Sequence, residues 1–339
     1  MNLYLIGSES LGVRGLSCFI KLSKRSVLID PGVALGFTRF GLHPHPLQAA
    51  FSEISKVLLT LFWRRATDVI ITHFHGDHVP LYNANPFQYP LSVVRGLNRR
   101  VVIWVKEYGN FTPRERARFE SIVKCFNDRV VYISEEVKDE SIEILGTYYH
   151  GLNTRTKVLA IKVCDGSQCI VHLSDTQLLV SDIIDKVCSC NPKIVITDGP
   201  PLYRLKGLMK RHIAKKAMYN AMKLANCADS IIIDHHIARS IEGMKWIDLL
   251  RKEIGNRVKC AADYMKTPRM PLEAWRRVLY EVIPVHNSWF TDGSYDGFGK
   301  ALDAYKDLIK ELLKDIPKEV TLNELEIKEI LEKITHSPK

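Results

Sequence analysis

What this chain lacks narrows its class before any motif is read. No apolar run is long enough to cross a bilayer, which excludes a membrane-spanning helix. The first residues, Met1-Asn2-Leu3-Tyr4-Leu5-Ile6, have neither the basic start nor the long apolar stretch of a signal peptide. They read as a strand, and a cytoplasmic location is expected. None of the eight cysteines belongs to a Cys-x-x-Cys pair, so a zinc-ribbon pattern is excluded. Internal repeats and low-complexity segments are absent. Nor does any stretch interleave aromatic with basic residues as a nucleic-acid stacking platform would.

What is present fits a globular enzyme-sized chain. Its 339 residues allow one large or two modest domains with a real core. A net charge of +10 favours anionic substrates or partners, phosphates and nucleic acid among them. Basic stretches occur at Arg95 to Arg100 and from Lys206 to Lys216, where a solvated face is the plainer reading. Cysteine usage points to buried free thiols, Cys188 and Cys190 included. Cys164 and Cys169 flank the turn Asp165-Gly166-Ser167-Gln168, where a facing disulfide is the minor alternative.

Short β-rich runs alternate with helical patterns. Leu3 to Ile6, Ser17 to Leu22, Ser26 to Ile29, Asp68 to Ile71 and Val101 to Val105 read as strands. Pro46 to Phe62 has helical spacing, and Thr112-Pro113-Arg114-Glu115 opens a second helix, to about Phe126, with a capping box. Val130 to Leu173 is β-rich again. Lys193 to Ile196 and Ser230 to Ile233 are further strands, with a helix near His212 to Ala225 between them. Asn287 to Gly299 reads as a linker, followed by helices at Ala301 to Leu313 and Leu322 to Ile334. The first of these carries a stripe of Leu302, Tyr305, Leu308, Ile309 and Leu312. Docking on the preceding domain is expected to bury it, with a contact between two copies as the alternative. Periodicity alone gives an α/β class.

The densest chemistry is His73-Phe74-His75-Gly76-Asp77-His78, directly after the apolar run Val69-Ile70-Ile71-Thr72. Four ligating side chains on one turn are hard to explain by packing, since buried imidazoles without partners are costly. Imidazole and carboxylate suit zinc, and also manganese or iron. This His-x-His-x-Asp-His turn resembles the signature of the metallo-β-lactamase superfamily, over roughly residues 1–285. Gly41-Leu42-His43-Pro44-His45-Pro46, Asp198-Gly199-Pro200-Pro201-Leu202-Tyr203 and Asp234-His235-His236 look closest to a mainly archaeal branch. The resemblance implies a four-layer αβ/βα sandwich over residues 1–290, with a C-terminal helical extension at 291–339.

The resemblance also implies two divalent metal ions, with zinc expected. His73, His75 and His150 would serve one; Asp77, His78 and a late histidine would serve the other; Asp175 would bridge them. Ile232-Ile233-Asp234-His235 repeats the shape of Ile70-Ile71-Thr72-His73, which favours His235 as that late ligand. His236 would then touch substrate or support the site, because adjacent strand residues face opposite ways. Asp30, before Pro31-Gly32, would orient the histidine turn by hydrogen bonds. Asp77 would also orient the attacking water, and His236 or Tyr203 would help the leaving group. Asp198 is a further supporting acid. His172 reads as a strand neighbour of the site, while His43 and His45 sit in a Pro-rich turn.

The implied activity is hydrolysis by a hydroxide held between the two metals. A phosphoester or other anionic ester is the expected substrate. A thioester, lactone or amide of a small molecule is the alternative, as is a binding protein that keeps the metals without turnover. The short stretch between Asp175 and His235 leaves little room for the inserted domain of the superfamily's RNA-processing nucleases.

Overall fold

The computed structural model describes residues 1–107, 109–133, 137–285, 296–316, 318 and 321–335. Among these residues, twelve strands form two six-stranded sheets. The first sheet runs in chain order: β1 (Asn2–Ser8), β2 (Leu16–Lys21), β3 (Ser26–Ile29), β4 (Asp68–Ile71), β5 (Val102–Lys106) and β6 (Val130–Ile133). The second holds β7 (Ile142–His150), β8 (Asn153–Asp165), β9 (Gln168–His172), β10 (Ile194–Thr197), β11 (Ser230–Ile233) and β12 (Val258–Lys259), again in chain order across the sheet. Each sheet starts with three antiparallel strands and continues parallel from its third. The parallel strands of both halves therefore end on one rim, where open α/β sheets place their sites.

Ten helices flank the sheets among the described residues. They are α1 (Pro46–Arg65), α2 (Leu91–Val94), α3 (Pro113–Phe126), α4 (Ser181–Ser189), α5 (Gly207–Ala225), α6 (Ile241–Ile254), α7 (Ala261–Met265), α8 (Arg276–Val282), α9 (Asp296–Asp315) and α10 (Glu324–Thr335). Three apolar clusters prove the layering. Leu28, Val69, Ile71 and Val105 face Leu59, Trp63, Phe119 and Ile122 of the helices over the first sheet. Val171, Val195, Ile231 and Ile233 face Ile184, Ala217, Leu224 and Ile247 over the second. Between the sheets lie Ile20, Ile29, Ile70, Leu159, Ile161, Ile196 and Ile232. The parallel strands are buried on both faces, which is why their sequences are unbroken apolar runs. This is the four-layer αβ/βα sandwich expected.

The helix start at Thr112 is as read: Glu115 N–H donates to Thr112 Oγ1 at 3.3 Å, and Thr112 N–H to Glu115 Oε2 at 2.8 Å. The C-terminal helices dock on the same molecule, with Ile309, Leu312, Ile316, Leu322 and Ile327 buried in the first outer cluster. Other expectations need correction. The supposed linker already turns helical at Asp296, and the expected division at 290/291 lies outside the described residues. Cys164 and Cys169 form a disulfide, as a facing pair of the β8–β9 hairpin. Cys188 and Cys227 form another, tying α4 to the end of α5, so neither is the free thiol expected. Sequence spacing could not show that second pair, because packing of two helices brings it together.

Candidate metal centre and cleft

Every expected ligand stands at the shared rim. Asp30 follows β3, the histidine turn follows β4, and His150 ends β7. Asp175 follows β9, and His235 and His236 follow β11. The chain bends sharply at these corners: Asp30, Ser174 and His235 have φ of 47°, 49° and 60°. Few non-glycine residues adopt this left-handed region, and such strain gathers at functional sites. The Asp30 corner also lies tight against the histidine turn. A Cβ on Gly32 would come within 2.3 Å of Val79 N, so only glycine fits there.

Asp30 hydrogen-bonds the turn that follows β4. Its Oδ1 accepts from Thr72 N–H at 2.8 Å, and its Oδ2 from the Thr72 hydroxyl at 2.7 Å. Oδ2 is also 2.9 Å from His78 Nδ1, leaving Nε2 of that ring for another partner. Thr72 Oγ1 meets Ser174 Oγ at 2.7 Å, which locks the corner after β4 to that after β9.

The ligating atoms fall into overlapping groups. His73, His75, His150 and Asp175 each offer one atom, all within 4.8 Å of one another. Asp77, His78 and His235 make a second such group, and Asp175 also groups with His235 and His236. Asp175 Oδ2 lies 3.0 Å from His150 Nε2, 3.3 Å from His78 Nε2 and 3.5 Å from His235 Nε2. Yet His73 Nε2, His150 Nε2 and both Asp175 oxygens are buried without an aligned hydrogen bond. Such atoms are costly unless something binds them. Burial would raise the Asp175 carboxyl, but His78, His235 and His236 hold it well below the carboxylate range. Burial and the neighbouring His78 and His75 push His73 well below the usual imidazole value. Burial also lowers His75 and His235, and neutral imidazoles are what a metal needs. His78 goes the other way: burial would lower it, but Asp175 and Asp30 push it well above the usual imidazole value, so its proton must leave when a metal binds. The donor set fits a dinuclear site for divalent ions.

Around this cluster lies a cleft of about 600 Å³, lined by His75, Asp77, His150 and His236 and by Arg14, Arg114, Arg204 and Arg239. His236 is held from behind: its Nδ1 is 2.6 Å from Asp198 Oδ2. Burial and the Asp175 charge push the Asp198 carboxyl well above its usual range, while burial and Arg239 push His236 well below its own. The pair is therefore uncharged overall. Arg239 is buried, with Nε on Glu9 Oε1 at 2.6 Å and Nη2 on Asp77 Oδ2 at 3.0 Å.

The relatives of this chain are archaeal. It is 35% identical over 299 residues to a UPF0282 protein of Methanosarcina mazei, covering 85% of this chain and 95% of the relative. A UPF0282 protein of Thermococcus gammatolerans is 32% identical over 295 residues, covering 83% and 95%. The chain belongs to the UPF0282 family. No family model matches it. Among solved structures, a B3 metallo-β-lactamase with an active-site glutamic acid is similar with TM-score 0.31 at 15% identity, over 76% of this chain and 87% of that one. The FEZ-1 metallo-β-lactamase of Legionella gormanii is similar with TM-score 0.33 at 12% identity, over 91% and 93%.

Other residues of this UPF0282 protein stand around or away from the cluster. His45 is remote from the cluster and caps α1, its Nδ1 accepting from Leu47 N–H at 3.1 Å. His43 does not line the cleft; its Nδ1 lies 3.2 Å from Phe37 O. His172 is buried against Leu16 O, behind the site. Tyr203 reaches Arg239, with its hydroxyl 3.4 Å from Nη1. Sequence reading missed Arg239 altogether. It also missed an aromatic–basic arrangement that the chain does not show in line. Arg39-Phe40, Tyr203-Arg204 and Arg277 come from three separate segments and meet only in the fold.

Proposed function

We propose that this protein is a metal-dependent hydrolase of anionic esters, phosphoesters first among them. The observation that carries this reading is the arginine-lined cleft set directly over the two ligand groups. Bound ions, zinc expected and manganese or iron accepted by the same donors, would supply an activated water and polarise the ester oxygen. His73, His75 and His150 would hold one ion, and Asp77, His78 and His235 the other. Asp175, whose Oδ2 faces both groups, would serve both ions.

The remaining chemistry belongs to the chain's own residues. Asp77 is the carboxylate nearest solvent in the cluster, and it orients the attacking water and accepts its proton. His236 lines the cleft with Nδ1 already engaged by Asp198, so its other ring nitrogen serves the leaving oxygen. Asp198, kept neutral by its surroundings, donates its proton to Nδ1 and so leaves the ring's own proton on Nε2, on the side of the leaving oxygen. Arg114 and Arg204 have no acidic partner among the described residues, and they take up the negative charge of the substrate.

The test is turnover of bis(p-nitrophenyl) phosphate beside that of a small neutral thioester. Phosphodiester hydrolysis is expected. His236→Asn should lower kcat by roughly 10²- to 10⁴-fold, with metal content unchanged. Turnover confined to the thioester, or a His236→Asn protein of full activity, would contradict the proposal.

A further inference from the structure

We infer that the rim of the cleft binds a single strand of nucleic acid, along a ladder of arginines and aromatic rings that ends at the metal cluster. The inference rests on the cleft being the site of anionic esters, and it names their class.

Arg277 lies 5.3 Å from the Phe40 ring centre, and Arg39 4.8 Å from the same ring. Arg39 is also 4.9 Å from the Tyr203 ring, and Arg204 is 5.4 Å from that ring. The ladder therefore runs Arg277, Phe40, Arg39, Tyr203, Arg204, and Arg204 is part of the cleft wall. Arg39 is fixed to the site by a hydrogen bond from Nη2 to Arg239 O. Arg204 and Arg277 are exposed and have no acidic partner among the described residues.

Phe40 is the residue that packing does not explain. It keeps 49% of its surface open despite two guanidinium neighbours. It also sits in a two-residue hairpin, closed by Arg39 N–H to Leu42 O at 3.0 Å and Leu42 N–H to Arg39 O at 2.9 Å. Phe40 and Gly41 have φ of 56° and 75°, the turn geometry that favours Asn-Gly. A bulky ring at such a position is disfavoured, and here it is held out towards solvent. Nearby Phe37 is 50% exposed. Arg114, at another part of the cleft wall, also lines a second hollow of about 510 Å³ that holds Arg118 and the 82%-exposed Tyr82. Aromatic surface beside cations thus continues past the metal cluster.

The chemistry selects the ligand. A lone phosphate needs no rings, and a polyphosphate has nothing to stack. A duplex hides its base faces. A single strand offers phosphates and open bases in alternation, which is what alternating guanidinium and ring surface recognises. Its phosphodiester is then an anionic ester of the class proposed for the cleft.

The experiment is fluorescence anisotropy with short fluorescein-labelled oligouridylate and oligodeoxythymidylate on the full chain carrying His75→Ala, so that cleavage does not intervene. Saturable binding of either strand is expected, with inorganic polyphosphate and duplex DNA as weak competitors. Phe40→Asn should weaken it by about tenfold while leaving the melting temperature unchanged or higher, since Asn suits this turn. Arg277→Gln should lower the slope of log affinity against log salt by about 0.7, one phosphate's share. Unchanged affinity in Phe40→Asn, or polyphosphate competing as well as the strand, would overturn the inference. Turnover of bis(p-nitrophenyl) phosphate without strand binding would overturn it alone. Strand binding by a protein that hydrolyses no ester would uphold the ladder and remove the hydrolase.

Discussion

At the scale of the residue, the two ligand groups differ by one buried guanidinium. Arg239 Nη2 stands 3.0 Å from Asp77 Oδ2 and 2.9 Å from His235 Nε2. Among the described residues, no guanidinium or ammonium group hydrogen-bonds His73, His75, His150 or Asp175. A fixed positive charge opposes a second one close by. The two ions should therefore bind unequally, the first by at least about tenfold, which is roughly 1.4 kcal/mol. Calorimetric titration of metal-free protein with zinc would read this as two steps. Glu9→Gln with Arg239→Met removes the buried pair together and should draw the steps closer. Equal steps in the unaltered protein would contradict it. The histidine turn was legible in the sequence because its four side chains are contiguous. Arg239 was not, because its role depends on Glu9 and Asp77 reaching it from distant segments. Asp198 was half legible: its place after a strand was clear, its bond to His236 was not.

At the scale of the element, β1 to β5, β10 and β11 were legible to within a residue or two, since burial writes them as apolar runs, whereas β6 to β9 were legible only as one β-rich stretch and the two-residue β12 not at all. Helix α1 began as read, at Pro46, but its cap carries a property that spacing does not reveal. His45 accepts from Leu47 N–H through Nδ1 and places Nε2 2.9 Å from Ile283 O. Burial, with a smaller push from Arg276, lowers its pKa to about 4 against an Ile283 carbonyl that favours the charged ring. Protonation would turn Nδ1 into a donor facing a donor. The unfolded chain takes up this proton near pH 6.5 and the folded one only near 4, so stability falls as pH drops through that window. By pH 5 the loss from this group is about 2 kcal/mol. His45→Asn keeps a cap without the titration. Urea unfolding at pH 7 and pH 5 should show a smaller drop in the variant than in the parent. Equal drops would exclude His45 as the cause.

At the scale of the whole molecule, two halves of like design meet so that six strand ends share one rim. The order of motifs along the chain made that sandwich legible, and with it which histidines and aspartates gather at the rim. The arginine–aromatic ladder stayed hidden, because its rungs lie at positions 39–40, 203–204 and 277 and touch only after both halves and α8 have packed. The docking of α9 and α10 was legible as an apolar stripe in need of cover, though not which helix would provide it. The central claim is that the buried, unpartnered atoms of His73, His150 and Asp175 exist to hold metal. Elemental analysis of protein purified without added metal, beside His75→Ala, tests this most directly. Two divalent ions per chain, falling in the variant while its far-ultraviolet circular dichroism stays native, is the predicted result. A well-folded parent protein that retains no metal, even after dialysis against zinc, manganese or iron, would contradict it.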